Sequence, residues 1–255
     1  MHRIHSLLLA PLVLGVLGAC QAPASEAPAL EVVVIGTTHS RHLTSEEYGL
    51  DELEQLLRNI APDAVLTEIP PDRFPLAAAE FAATGTIEEP RVSRFPEYTD
   101  VLFPLQSELG FEIFPCAGWT TEMASERSRL LAEWRETRPE DTAAVNAGQA
   151  GINEQLEALG LGDRPSDLHD PRYDEIVRLG LVPYQALFGD DLGPGGWDNI
   201  NIAHWSLLDA ALDRLVAEGE AGRVAITYGT SHKYWFLDRL AERDDVVVLD
   251  TREFL

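Results

Sequence analysis

The chain has 255 residues, with 43 Asp and Glu against 19 Lys and Arg, and a formal net charge of -24. A chain this acidic repels the phosphates of nucleic acids, so we expect no nucleic-acid partner. Two cysteines exclude a disulfide scaffold and a zinc site built from Cys. A hydrophobic content of 45% over this length is typical of a globular domain with a sizeable core.

The N-terminal segment predicts an export signal. Residues 6–19 are apolar but fewer than the roughly 20 residues that span a bilayer, so residues 1–19 read as a signal peptide. The Leu-Gly-Ala-Cys sequence at 17–20 resembles the lipobox of bacterial lipoproteins and predicts lipidation of Cys20. An ordinary signal peptide cut near Ala19 or Ala22 is the alternative. Residues 20–29 form a Pro/Ala-rich tether.

A lipid on Cys20 implies a location in the cell envelope. By analogy with lipoprotein sorting in Gram-negative bacteria, Gln21 in the second position of the mature chain predicts the outer membrane, facing the periplasm. The protein would then contact the membrane only through its N-terminal lipid.

The remaining chain, 30–255, predicts one α/β domain. Short apolar runs predict strands at 31–35, 63–69, 111–116, 223–228 and 246–249. Helical spacing predicts helices at 48–60, 76–83, 98–109, 121–137, 142–159, 171–181, 200–217 and 234–243, and the Gly-, Asp- and Pro-rich stretch 185–199 predicts a mobile loop. We therefore expect a mostly parallel central sheet flanked by helices, with a helical insertion between the third and fourth strands.

Two predicted strands end in nearly the same tetrapeptide. The first continues into Gly-Thr-Thr-His at 36–39 and the fourth into Gly-Thr-Ser-His at 229–232. Glycine permits a sharp turn, and the histidine then projects over the carboxyl ends of the strands, where open α/β sheets bind ligands. A single such histidine would be read as a turn residue bonded to a nearby carbonyl. Two matching copies predict that His39 and His232 share a functional site.

The second predicted strand ends in a charged residue, Glu68. A buried carboxylate needs a partner, which is either an Arg in a structural pair or His39 on the neighbouring strand end. Two histidines and a carboxylate suit a divalent metal ion with open coordination positions, or a general-base pair without metal. The sequence thus predicts His39, Glu68 and His232 as catalytic residues and metal ligands.

The two Gly-x-x-His motifs and the Glu68 strand between them resemble the TraB/GumN/Tiki superfamily, which is related to erythromycin esterases and ChaN-like haem lipoproteins. The resemblance covers about residues 30–250 and implies an α/β fold. In the Tiki branch it implies metal-dependent peptide hydrolysis, and in the esterase branch water activation for ester cleavage. The ChaN-like branch implies haem binding. Thr37 stands where the esterase and ChaN-like versions of the motif carry an acidic residue, which favours the TraB/Tiki side.

Four further residues are candidates for substrate binding: Arg41, Asn201, His204 and Lys233. Asn201 and His204 lie three apart on one helix face and would reach the site from above, or form a polar edge beside Trp205. Lys233, the only lysine, would hold a substrate carboxylate or counter Glu68. His42 is a weaker candidate for a third ligand.

These patterns predict a metal-dependent hydrolase of a peptide or ester bond, acting on a peptide or a small molecule. Its cofactor would be a divalent metal ion. The alternative is a lipoprotein that binds haem or a metal without catalysis. A third hypothesis is that the domain is purely structural.

Overall fold

The computed structural model describes residues 29–255, so the predicted signal peptide, Cys20 and the tether up to residue 28 lie outside the described residues. Five strands form one sheet in the order β3-β2-β4-β1-β5, and every pairing is parallel. The strands are β1 (Leu30–Thr37), β2 (Ala64–Thr67), β3 (Glu112–Pro115), β4 (Arg223–Gly229) and β5 (Val246–Leu249). The predicted α/β fold with a parallel central sheet is confirmed.

Helices lie between successive strands. They are α1 (Leu50–Ile60), α2 (Phe74–Thr84), α3 (Phe103–Leu109), α4 (Thr121–Thr137), α5 (Pro139–Ala158), α6 (Pro165–Leu168), α7 (Pro171–Phe188), α8 (Trp197–Glu218) and α9 (Lys233–Leu240). Five of them, α4 to α8, follow one another between β3 and β4.

The sheet is covered on both faces, which explains why its central strands are almost wholly apolar. Alternate residues of β1 point to opposite sides, so Val33 joins one apolar core and Val34 the other. The first core includes α1 and α3, through Leu57 and Phe103. The second includes α8 and α9, for example Leu212. This packing fixes the carboxyl ends of β1, β2 and β4 beside one another.

The boundaries of the predicted loop at 185–199 are wrong at both ends. Helix α7 continues through Pro183 to Phe188, and α8 already begins at Trp197. The helix continues because Tyr184 and Phe188 pack against Trp134 of α4 in a separate apolar cluster. Tertiary packing here outweighs the local preference of Gly, Asp and Pro for a loop.

The predicted helix at 98–109 is two elements. One π-helical turn, Glu97–Leu102, precedes α3. Such turns carry one extra residue per turn and often lie at functional sites. This one carries Glu97, whose side chain enters the site described below. Within residues 29–255, no helix is long and apolar enough to cross a membrane.

Candidate active site

The two Gly-x-x-His turns contact each other directly. Strands β1 and β4 are neighbours, with Thr37 paired to Gly229, so both turns leave the same edge of the sheet. A Cβ atom added at Gly36 would lie 2.8 Å from Oγ1 of Thr230, and one added at Gly229 would lie 2.7 Å from Nε2 of His39. Each glycine is therefore needed because the other turn fills the space where a side chain would go.

Glu68 lies at the centre of this edge, directly after β2. Its Oε2 accepts a hydrogen bond from the Gly229 N–H at 3.2 Å and lies 3.9 Å from Nε2 of His39. Its Oε1 lies 3.9 Å from Nε2 of His204. Burial raises the pKa of this carboxyl. No arginine or lysine of the described chain comes within 4.0 Å of it, so the structural Arg pair is not formed.

Three side chains converge closely enough to hold a metal ion. Glu68, His204 and His232 each offer a ligand atom, and these atoms lie within 4.8 Å of one another. His39 falls outside this set, although it contacts Glu68 from the other side. The structure therefore brings two of the predicted metal ligands together, Glu68 and His232. It adds His204, which the sequence placed only among substrate-binding residues.

The charges at the site also fit a cation. Glu68 and Glu97 are both largely buried, with side chains 10% and 1% exposed. Only one histidine near them, His39, has a raised pKa. Burial raises the pKa of Glu68, so a divalent ion beside it would stabilise its carboxylate form.

His232 is arranged as an acceptor. Its Nδ1–H donates to Oδ1 of Asn201 at 2.6 Å, and the Asn201 amide is fixed because its Nδ2 donates to the Trp197 carbonyl at 2.9 Å. Burial, reinforced by the neighbouring His204, lowers the pKa of His232 well below its ordinary value, so the ring is neutral. Its Nε2 then carries a free lone pair, which is the state that a metal ligand needs.

His204 is arranged in the opposite way. The Gly118 N–H donates to its Nδ1 at 2.8 Å, so the neutral ring carries its proton on Nε2. Burial lowers its pKa to about 3. The Nε2 atom is buried and has no hydrogen-bond partner among the described residues. As it stands, His204 offers a hydrogen-bond donor, and ligation would require the proton to move to Nδ1 at the expense of the Gly118 bond.

His39 and Glu97 form a pair typical of general bases. The Nδ1–H of His39 donates to Oε1 of Glu97 at 2.6 Å, which leaves Nε2 as the acceptor facing Glu68. Burial opposes the charged form, but the bond and charge of Glu97, with Glu68, raise the pKa of His39. A left-handed backbone (φ 52°) turns His39 towards these carboxylates. Glu97 was not predicted, since nothing in the local sequence links it to a motif 58 residues away.

The remaining candidates from the sequence lie at or beyond the edge of the site. Asn201 positions His232, as described. Arg41 lies on the rim, where one nitrogen of its exposed guanidinium, Nη2, donates to both carboxylate oxygens of Asp163. Lys233 points away from Glu68: it is buried and forms a short ion pair with Asp174. Its ammonium is therefore engaged and does not counter Glu68.

Two other histidines support the backbone of the first turn. His42 accepts from the Thr38 N–H through Nε2 and donates to the Tyr48 carbonyl through Nδ1, so it has no free nitrogen for a metal. His169 was not among the predicted site residues. Its Nε2 accepts a hydrogen bond from the Gly36 N–H, and its Nδ1–H donates to the Pro165 carbonyl. Both hold the turn that presents His39.

Two clefts open beside the site. One, of about 290 Å³, is lined by both motif turns, including His39 and His232. The other, of about 350 Å³, is lined by Glu68 together with Trp119 and three arginines. Glu68 and His39 each line one of the two clefts, and Oε2 of Glu68 lies 3.9 Å from Nε2 of His39. Cys116 is buried nearby, and burial raises the pKa of its thiol to about 12, so it is not a nucleophile.

No family model, curated protein or solved structure matches this chain. The resemblance to the TraB/GumN/Tiki superfamily therefore rests on the two motifs and Glu68.

Proposed function

We propose that this protein hydrolyses an ester or amide bond with a water molecule activated between Glu68 and His39. The observation that carries the proposal is the convergence of Glu68, His204 and His232 within 4.8 Å, next to the His39–Glu97 pair. Two histidines and one glutamate are a common ligand set of catalytic zinc sites, which leave a position for water. We infer that a divalent ion such as Zn²⁺ binds this triad.

In this proposal the residues divide the work between them. A bound ion would lower the pKa of its water and polarise the scissile carbonyl. The Nε2 of His39, oriented by Glu97, accepts the proton of the attacking water. Glu97 stabilises the imidazolium that forms, as the carboxylate of a catalytic triad does. His39 then returns the proton to the leaving group.

The proton on Nε2 of His204 favours a second candidate, which performs the same reaction without metal. Here the buried Nε2–H of His204, 3.9 Å from Oε1 of Glu68, stabilises the negative charge of the carboxylate that positions the attacking water. The water is still activated by His39 and Glu97. The two candidates differ in one respect: only the first requires His204 to release the Gly118 N–H.

Hydrolysis of chromogenic esters and peptides tests both candidates. We expect turnover by the wild type that the Glu126→Gln control retains, because Glu126 is exposed on α4, and that His39→Ala abolishes. Loss of activity with a chelator and recovery with Zn²⁺ supports the metal-bound candidate, and full activity in the chelator supports the metal-free one. Absence of turnover on every substrate contradicts the hydrolase.

Haem binding without catalysis is the alternative predicted from the sequence. An imidazole binds haem iron through a ring nitrogen, with the porphyrin roughly perpendicular to the ring, and the ligand atoms of Glu68 and His204 lie within 4.8 Å of that of His232, in the space that the porphyrin would need. An absorbance titration with haemin is expected to show no Soret shift that depends on His232.

We also propose that the protein is anchored in the cell envelope through a lipid on Cys20. Metabolic labelling with a fatty acid should label the wild type, and the label should be lost in Cys20→Ser.

A further inference from the structure

The arginines of this acidic protein are almost all paired with carboxylates. Most guanidinium groups of the described chain lie within 4.0 Å of an Asp or Glu, as expected where acidic residues outnumber basic ones. Among residues 29–255, only three arginines have no such partner: Arg94, Arg127 and Arg135.

Two of these three line one cleft. Arg94 and Arg127 both line the cavity of about 350 Å³ that reaches Glu68, and Arg91 lines it with them. The nearest carboxylate to Arg91 is Asp72 at 3.9 Å, a loose contact, and its other guanidinium nitrogen donates to the Trp119 carbonyl. The cleft thus concentrates positive charge on a protein that neutralises it almost everywhere else.

The unpaired guanidinium groups remain free to bind a ligand. Arg94 makes no hydrogen bond within the described chain and only contacts the face of Phe95. Arg127 uses Nε to bond the Tyr184 hydroxyl at 3.0 Å, which orients the group and leaves its two terminal nitrogens without a hydrogen-bond partner among residues 29–255. Neither lies within 4.0 Å of Glu68, so they are not its structural partners.

Both arginines lie close enough to the site to act on its histidines. The charge of Arg94 opposes the protonation of His39, and the charge of Arg127 contributes to the lowered pKa of His232. The cleft that the two groups line also reaches Glu68, so an anion bound there would lie beside the proposed site. Glu68 is the acidic residue that lines this cleft, and Asp72 lies beside Arg91. The exposed Glu122 is also near Arg91, and its pKa is lowered mainly by hydrogen bonds from its own backbone N–H and the Thr120 hydroxyl and less by the charge of Arg91.

We propose that this cleft, with Arg94 and Arg127 as its binding groups and Arg91 at its rim, holds an anionic group of the substrate next to the bond that is cleaved. The ligand chemistry is a carboxylate or a phosphate, since a guanidinium donates two parallel hydrogen bonds to either. The inference rests on the proposed function and narrows it to the hydrolysis of anionic esters or amides.

The test compares two esters with the same leaving group. Mono-4-nitrophenyl glutarate carries a carboxylate, and 4-nitrophenyl butyrate is neutral. For the full chain we expect kcat/KM at least about tenfold higher on the glutarate ester, because each charge-assisted hydrogen bond contributes on that scale. In Arg94→Gln/Arg127→Gln this ratio should fall towards one. Arg135→Gln is the matched control, since Arg135 is also unpaired but lies on α4 outside the cleft.

A binding measurement separates this inference from the proposed function. Calorimetric titration with glutarate, with inorganic phosphate and with neutral glutaramide reports anion binding without any reaction. Glutarate or phosphate binding that is lost in the double variant and kept in Arg135→Gln supports the anion site even if no ester is hydrolysed, and whichever anion binds more tightly identifies the group. Equal hydrolysis of both esters with no anion binding overturns the inference and leaves the hydrolase intact. If neither ester is hydrolysed and neither glutarate nor phosphate binds, the inference is overturned as well.

Discussion

The two Gly-x-x-His turns have nearly the same sequence, yet they give their histidines opposite properties. His39 itself has a left-handed backbone, its side chain is 30% exposed, and it bonds the Glu97 carboxylate, which raises its pKa. His232 has an ordinary helical backbone and bonds the neutral amide of Asn201, and burial together with the neighbouring His204 lowers its pKa. Both tetrapeptides therefore bring a histidine to the same edge of the sheet, and the burial of each ring and the charges around it determine its pKa.

This difference suits two roles at one site. A base that accepts a proton from water benefits from a carboxylate partner, and a metal ligand benefits from staying neutral with Nε2 free. In the proposed mechanism the first turn supplies the base and the second a metal ligand, with Glu68 between them.

Removing Glu68 should have the largest effect, because in the proposed mechanism the attacking water lies between Glu68 and His39, and Glu68 also accepts from the Gly229 N–H of the second turn. We expect Glu68→Gln to lower kcat by about 10²- to 10⁴-fold, as is usual when a group that activates water is lost. The fold should survive, since Gln can still accept from the Gly229 N–H. Steady-state kinetics and a thermal melt check this, with Glu126→Gln as the control. Activity near the wild-type level would mean that the two turns do not work through Glu68.

Glu97→Gln changes only the first turn. The amide oxygen can still accept from Nδ1–H, but the negative charge that stabilises the imidazolium is gone. We expect kcat to fall about 10²-fold and the pKa of His39 to fall with it. Kinetics and an NMR titration of the imidazole in chelator-treated protein measure the two effects. Asp100→Asn, exposed on the same π-helical turn, is the control, and an unchanged His39 pKa would contradict this role.

Asn201→Ala is the corresponding change at the second turn. Without the Oδ1 acceptor, His232 is no longer held with its proton on Nδ1, so Nε2 is less available as a ligand. Loss of such a supporting contact typically weakens metal binding by about 10- to 100-fold. A competition titration with a zinc-sensitive dye measures the affinity. Asn199→Ala, on the same helix but exposed, should bind Zn²⁺ like the wild type. If Asn201→Ala and Asn199→Ala bind Zn²⁺ with equal affinity, His232 is not held as a metal ligand by Asn201.

Arg41→Gln should have the smallest effect. Its ion pair with Asp163 is exposed on both sides, and such pairs contribute about 0–1 kcal/mol. The melting temperature is therefore expected to stay within a few degrees of the wild type, although Arg41 lies on the rim of the cleft that His39 lines. A large loss of stability would show that the first turn depends on this surface pair more than its exposure suggests.

The sequence predicted those features that depend on residues close together in the chain. The apolar strands and the two motifs predicted the parallel sheet and the edge at which His39 and His232 lie, because residues that follow parallel strands meet at one edge. The hydrogen-bond partners that determine the protonation of the histidines could not be predicted, because they come from distant parts of the chain. Glu97 reaches His39 through a π-helical turn, and Gly118 fixes the proton of His204 from a loop 86 residues away. Lys233 adjoins His232 in sequence but pairs with Asp174 on another helix.

The metal content of the purified protein tests the central claim most directly. Elemental analysis of wild type, His204→Ala, His232→Ala and His39→Ala distinguishes the close triad from the set predicted by the motifs. The geometry predicts about one divalent ion per chain in the wild type and in His39→Ala, and little in the other two, since only His204 and His232 converge with Glu68 within 4.8 Å. Loss of the ion in His39→Ala, with full content in His204→Ala, would contradict the account.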